Sequence, residues 1–422
     1  MRWLKALAVC PGSAEWITPW CKMQEFPRYL YRAPFVVTGN GPIIADGAVL
    51  TENGLVVAVG SYGELKDVDA QVEDYDGHVI TPSLVNCHAH LELSYLAGLA
   101  GDCPAPGDIV GWIRGLLAAR AAHGDVAAQN DASLMALARL YAGGCRAVVD
   151  IGNRVESGLI GGGFKTEVLF FLELLGLCGE FEEAALTALG GIDADVRCTA
   201  HASYSAGPTL IRALKARAGN SLFPMHVAES AQEIEFLRTG GGVFADFLGE
   251  RGVEVEGFTP PGMGAVRYLD SLGVLDKHTL CVHGVHVKDE EISLLATRGA
   301  AVCLCPGSNR FMGVGIAPVQ KMFVQGIPLV LGTDSLASNP SLSLWREMQM
   351  LREDHPDLPP EAVFAMASSN GARLLGIEDR IGAIAPEVSS SLLAVRCPAK
   401  NEEEVFEFLT SVGTDISLEW LE

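Results

Sequence analysis

In this 422-residue chain, histidines and acids collect at the ends of apolar runs. The first run closes on Asn86-Cys87-His88-Ala89-His90. Two histidines at i and i+2 on a strand point to the same face. A second run, Leu222–Met225, leads into His226, and Glu229 follows in the next loop. A third ends on Cys281-Val282-His283 with His286 beyond it, and a fourth, Ile327–Leu331, leads into Gly332-Thr333-Asp334-Ser335. Each motif alone is ordinary. As a set, three imidazoles and a carboxylate suit one divalent ion such as Zn²⁺, with a position left for water. Such an ion brings the pKa of a bound water to about 7. The chemistry then needs a group that carries a proton from that water to a substrate, and Glu229 is the candidate.

These side chains must be held by a scaffold that presents strand ends side by side. The apolar runs Val79–Asn86, Cys145–Ile151, Glu167–Glu173, Asp195–His201, Leu222–Val227, Thr279–His283, Ala300–Cys305 and Ile327–Gly332 read as strands. Helical patterns lie between them, among them Asp131–Ala142, Pro208–Arg217, Ala231–Leu237 and Asp289–Thr297. Eight such units predict an α/β fold of the (β/α)8 TIM-barrel type, with chemistry at the C-terminal strand ends. A doubly wound open sheet would carry a glycine fingerprint after its first strand, and there is none. Residues 33–78 are short strands and turns with a hairpin signal at Asn53-Gly54. With a strand in the C-terminal segment they predict a small β-sandwich domain. The expected organisation is an N-terminal extension over 1–30, a β-domain from 31–80 plus 386–422, and a barrel that carries the metal set over 81–385.

Composition narrows the partners. Lys and Arg number 30 against 52 Asp and Glu, a net charge of −22. A chain this acidic repels phosphate backbones and anionic bilayers, which argues against nucleic acid and membrane surfaces. Mean hydropathy is +0.25, yet no apolar run reaches the roughly 18 residues of a membrane span. Residues 1–10 are a poor match to a signal peptide, and Met23 is the favoured start. The 11 cysteines are an odd number, mostly in strand-like runs. They read as reduced thiols, which implies the cytoplasm. A homodimer is a possible assembly that the sequence leaves open.

The segments PSLVNCHAHLELS, HASYSAGP, HVAES, VHGVH, CPGSNRFMGVGIAPV, LGTDSLASNPSLSLWREM and ASSNGARLLGIEDRIGAI resemble the amidohydrolase superfamily. The resemblance covers about residues 40 to 390 and falls in the branch of mononuclear metal-dependent deaminases and triazine chlorohydrolases. It implies that His88, His90, His226 and Asp334 hold one metal ion, zinc before iron. It implies that His283, with Asp334, acts on the attacking hydroxide, and that Glu229 protonates a ring nitrogen and shuttles protons to the leaving amine. The two-metal members carry a lysine at the fourth strand, where this chain reads His201-Ala202-Ser203-Tyr204. A single ion and hydrolytic deamination at an aromatic ring carbon are therefore expected.

For the substrate, the same resemblance points to His201, Trp112, Ser308 and Asn309 as contacts. Arg310 is the candidate clamp for an anionic group, since arginine binds carboxylates bidentately, with Arg114 and Arg154 as rivals. The run HAHLELSYLAG followed by GWI resembles aminodeoxyfutalosine deaminases of menaquinone biosynthesis. That substrate stands ahead of S-adenosylhomocysteine, methylthioadenosine or adenosine. A guanine, cytosine or triazine hydrolase of the branch is the alternative, and a non-catalytic binding paralogue is remote. The chain departs from the adenosine-type pattern at Val110-Gly111-Trp112, where a ribose-holding glutamate would precede the tryptophan; Glu92 or Glu173 are substitutes, and Glu173 is equally a candidate structural partner of the metal histidines. It departs again at Ala385-Pro386-Glu387, which does not touch the site.

Overall fold

The computed structural model describes residues 27–101, 105–159 and 163–421. The question of Met1 or Met23 and the cysteines Cys10, Cys21 and Cys103 lie outside them. Eight parallel strands form the barrel: β6 (Leu84–Ala89), β7 (Cys145–Gly152), β8 (Glu167–Leu174), β9 (Cys198–Ala200), β10 (Phe223–Val227), β11 (Thr279–His283), β12 (Ala301–Leu304) and β13 (Leu329–Leu331). They pair in chain order as β6-β7-β8-β9 and β10-β11-β12-β13. Bridges Ala202↔His226 and Ala89↔Asp334 join the two sets and close the ring. Strands β6, β10, β11, β12 and β13 are buried along their whole length. Covered inside by packed side chains and outside by helices, they read as unbroken apolar runs rather than alternating ones.

A second, mixed sheet is built from both ends of the chain. It contains β1 (Arg28–Val36), β2 (Ile44–Glu52), β3 (Leu55–Ser61), β4 (Gln71–Asp74), β5 (His78–Pro82), β14 (Leu392–Arg396) and β15 (Leu418–Leu421). The order is β15-β14-β5-β1-β2-β3, with β4 also on β1. Asn53 (φ 56°) and Gly54 (φ 73°) make the two-residue turn between β2 and β3. Both central residues have positive φ, the signature of a type I′ hairpin. The sheet docks on the barrel through Trp420, which stacks on Tyr141 at 4.6 Å and donates its indole N–H to the Tyr141 carbonyl.

Two strand expectations are corrected. The run expected as one strand from Val79 is two, because the hydrogen-bonding partner changes at Ser83. Pro82 is still paired with Leu392 of β14, the Ser83 N–H goes to Ser391, and the Leu84 N–H goes to Gly144 beside β7. The chain stays extended but crosses from one sheet to the other. The fourth barrel strand is only Cys198–Ala200, since residues 193–196 are spent in a turn closed by Val196 N–H on the Asp193 carbonyl. All eight cysteines among the described residues are buried and unbridged, as small hydrophobes in strands would be.

Candidate active site

The barrel mouth gathers the strand-end residues in a small volume. His88 is fully buried on β6 and His90 follows that strand. His226 lies in β10, His283 ends β11, and Asp334 follows β13. Ala228, His283 and Asp334 have φ of 55°, 74° and 58°. Non-glycine residues held there cost of order 1–3 kcal/mol each and cluster at functional sites.

Both carboxylate oxygens of Asp334 accept hydrogen bonds. Ser308 and Ser338 donate to Oδ2 at 2.6 and 3.0 Å, and the Ser335 N–H donates to Oδ1 at 2.8 Å. Three donors favour the carboxylate form. Burial pushes the group up, but the imidazoles of His88, His90 and His283 pull it down, and the net position is well below the usual carboxylate range. Burial drives the His88 and His201 imidazoles down to about 4 and that of His226 well below its normal range. All three are therefore neutral at pH 7 and free to act as ligands.

The tautomers follow from the partners. His226 Nδ1 faces the His201 carbonyl at 3.0 Å. A carbonyl only accepts, so Nδ1 carries the proton and Nε2 carries a lone pair. That lone pair lies 3.3 Å from His90 Nε2. Asp334 Oδ1 is 3.7 Å from Nε2 of both His88 and His90, too far for a hydrogen bond. Both ring nitrogens of His88 are buried without a partner. Nitrogens at ~2.1 Å from one tetrahedral ion stand about 3.4 Å apart, so these spacings and orphaned lone pairs fit a shared divalent cation. Ligand atoms of His88, His90 and Asp334 lie within 4.8 Å of one another, as do those of His88, His226 and His283. The chain has a mononuclear divalent metal site.

Glu229 and His283 face each other beside it, Oε1 to Nε2 at 3.7 Å. His283 Nδ1 donates to Asn309 Oδ1 at 2.9 Å, which leaves Nε2 as an acceptor. Burial raises the Glu229 carboxyl, the His283 and His201 imidazoles oppose it, and the Asp334 charge adds to it.

A cavity of about 380 Å³ opens onto these groups. Its apolar wall is one face of the helix Ile109–Ala122, contributed by Ile109, Trp112, Ile113, Leu116 and Leu117. Trp112 is fixed by its indole N–H on the Ala337 carbonyl at 3.3 Å. His201 lines the cavity too, with Nδ1 at 2.7 Å from Ser205 Oγ.

The other sequence candidates fall differently. Ser308 and Asn309 are buried behind the site, holding Asp334 and His283, and do not line the cavity. Arg310 is corrected outright. One step further along the short helix Pro306–Met312, it points outward to Glu353 and Asp354, both at 2.8 Å. Arg114 is paired outside with Glu250 at 2.8 Å, and Arg154 bonds Asn130. Among the described residues, the arginines that line the cavity are Arg120 and Arg251, and Asn153, Glu173, Tyr204 and Phe247 line it too. Arg120 carries a readable signal, since 109, 112, 113, 116, 117 and 120 form one helical stripe. Arg251 and Asn153 carry none, because loop residues have no period.

A metal-dependent hydrolase barrel is the class that this fold and site define. Residues 172–411 match the sequence model of the Amidohydrolase family. The chain is 31% identical over 358 residues to the aminodeoxyfutalosine deaminase of Deinococcus radiodurans, covering 80% of this chain and 84% of that protein. It is 30% identical over 361 residues to the 5-methylthioadenosine/S-adenosylhomocysteine deaminase of Haloarcula marismortui, covering 79% and 76%. The aminofutalosine deaminase of Helicobacter pylori shares its fold with a TM-score of 0.76 at 23% identity, over 90% of this chain and 96% of that one. The protein belongs to the amidohydrolase family. It is a hydrolase of C–N bonds, of the cyclic-amidine deaminase type.

Proposed function

We propose that the protein deaminates an adenine nucleoside, with aminodeoxyfutalosine ahead of S-adenosylhomocysteine, methylthioadenosine and adenosine. The observation that carries this reading is the placement of Glu229 opposite His283, beside the metal site and at the end of a largely apolar cavity of nucleoside size. The names of the relatives from Deinococcus and Haloarcula support it.

His88, His90, His226 and Asp334 would hold the ion, zinc before iron. When bound, it supplies Lewis acidity and lowers the pKa of a water. The remaining steps belong to side chains. His283 Nε2 accepts a hydrogen bond from the attacking water. Glu229 takes a proton from that water and delivers one to the ring nitrogen next to the amine-bearing carbon. The water's second proton, now on the carbon-bound hydroxyl, passes through Glu229 to the amine, which leaves as ammonia while the carbon keeps the oxygen as a carbonyl. Trp112 and the leucines of its helix face pack on the nucleoside and keep bulk water out. Arg120 is engaged by Asn153 and Glu92, whereas the Arg251 side chain has no hydrogen bond or ion pair among the described residues. Arg251 is therefore the arginine we assign to an anionic substituent.

Ammonia release from a panel of adenine nucleosides by metal-loaded protein tests the reading, with aminodeoxyfutalosine, guanine and cytosine included. Turnover of an adenine nucleoside above the other bases is expected. Turnover of guanine or cytosine alone would overturn it.

A further inference from the structure

A second cavity, of about 1140 Å³, lies at the opposite end of the barrel from the metal set. Residues that stand just ahead of the strands line it: Arg197 before β9, Leu222 before β10, Lys277 and His278 before β11, and Pro328 before β13. The helix Ser369–Leu375 adds Arg373 and Leu374.

Its charges are of one sign. Arg197, Lys277 and Arg373 line it, and no Asp or Glu among the described residues does. The chain as a whole carries a net charge of −22, and elsewhere Arg114, Arg298, Arg310 and Arg380 each meet a carboxylate. The side chains of Arg197 and Lys277 have no hydrogen bond or ion pair among the described residues. Neither is needed to hold its own turn. The carbonyls of Ile192 and Val196 accept from Arg217, both at 3.2 Å. The turn before β11 is held by Lys215, which donates to Asp276 at 2.7 Å and to Thr279 at 3.1 Å. Arg373 bonds the amide oxygens of Asn370 and Asn40, at 3.2 and 3.3 Å, and no carboxylate. Like charges around one concavity repel, and a cleft lined by one sign concentrates ions of the other.

The rest of the lining is largely apolar, with Phe171, Leu222, Phe323, Leu329, Met366 and Leu374. We propose that this end of the barrel carries a second ligand site, separate from the catalytic one, for a phosphate ester with an apolar body. Three cations are more than one carboxylate balances. A phosphate monoester carries about −1.5 to −2 at pH 7, and its oxygens accept the paired N–H groups of an arginine. The apolar side chains would cover the body of the ester.

Calorimetric titration of the metal-loaded protein with 1-naphthyl phosphate tests this, against 1-naphthol as the same body without charge and inorganic phosphate as the charge without a body. Saturable binding of 1-naphthyl phosphate is expected, tighter than that of either control. The double variant Arg197→Ala, Lys277→Ala removes two exposed side chains that hold nothing in the fold. It should weaken that binding about 10–100-fold, as loss of a charge-assisted hydrogen bond does, with Tm and deaminase kcat/KM unchanged. Arg373→Ala should weaken it too. No saturable binding overturns the proposal, and so does affinity undiminished in the double variant, which would place the ligand elsewhere. Equal affinity for 1-naphthol would reduce the site to an apolar cleft, and equal affinity for inorganic phosphate would remove the apolar body. Either result overturns the assignment. The readout is binding, so its failure leaves the deaminase reading standing.

Discussion

At the scale of single residues, the site works through partners that remove choice. Asp334 accepts from three donors, so its carboxylate cannot turn away from His88 and His90. Ser308→Ala deletes the 2.6 Å bond. We expect metal affinity to fall about 10–100-fold, the usual effect of losing an outer partner, with KM unchanged. Titration against a competing chelator measures the first and steady-state kinetics the second. A raised KM with intact affinity would make Ser308 a substrate contact instead. Glu229→Gln keeps the shape and removes the proton carrier. We expect kcat to drop about 10²–10⁴-fold with metal stoichiometry unchanged, and full activity in that variant would end the assignment. Glu229 was legible in the sequence because it lies three residues beyond His226, at a strand end. Arg310 was misplaced because a residue in a short helix reverses from inward to outward with one step of about 100°.

At the scale of elements, the mouth is shaped by loops tied to the helices that follow. Ser230 caps the helix Ala231–Thr239, its Oγ accepting from the Glu233 N–H at 3.1 Å. Glu233 reaches back to accept from the Glu229 N–H at 2.9 Å and from Ser203 at 2.8 Å. Burial raises Glu233 to about 7, against its hydrogen bonds to Ser203 and the loop and with the charge of Glu229. Its folded value exceeds its unfolded one, so the folded state binds the proton more tightly. Its contribution to stability is full below about pH 4.5 and is lost as pH rises through about 7, on the order of 3 kcal/mol. Glu233→Gln should flatten that part of the pH dependence, as urea unfolding at pH 5 and pH 7 will show. An unchanged slope would assign it to another group. Gly332 marks the closing seam. A Cβ there would lie 2.7 Å from His88 Cβ and 2.8 Å from Cys303 Sγ. Gly332→Ala should cost roughly 1–3 kcal/mol by overpacking, read by chemical denaturation. A neutral result would mean that β6 and β13 part without strain.

At the scale of the whole molecule, the net charge of −22 coexists with a cavity whose charges are arranged locally. Arg310 and Arg114 are spent on ion pairs. Exposed pairs of this kind are worth ~0–1 kcal/mol and mainly settle where side chains point. No helix among the described residues is long and apolar enough to cross a membrane. The metal ties together strand ends separated by most of the chain, from His88 to Asp334. A bound ion stabilises the folded state by about 4 kcal/mol at a free concentration a thousandfold above its Kd. Stripping with a chelator should therefore lower Tm and abolish turnover, and zinc should restore both. An unchanged Tm after verified metal loss would place the ion outside the fold's stability.

The kinds of side chain, their order and their place at successive strand ends are properties of the sequence alone. They follow from local rules, since side chains alternate along strands and a buried strand reads as an apolar run. That is why the barrel, the metal set and Glu229 were legible. Which groups converge, and which way each faces, is decided by ring closure. Asn86 bonds Thr333 across 247 positions, and Glu173 meets Asn153 and His226 from neighbouring strands. The same closure sends Ser308 and Asn309 behind the metal set, turns Arg310 out to Glu353 and Asp354, and brings Arg120 and Arg251 to the cavity. No local period encodes these partners, because each contact depends on how the strands curve and on what packs behind them.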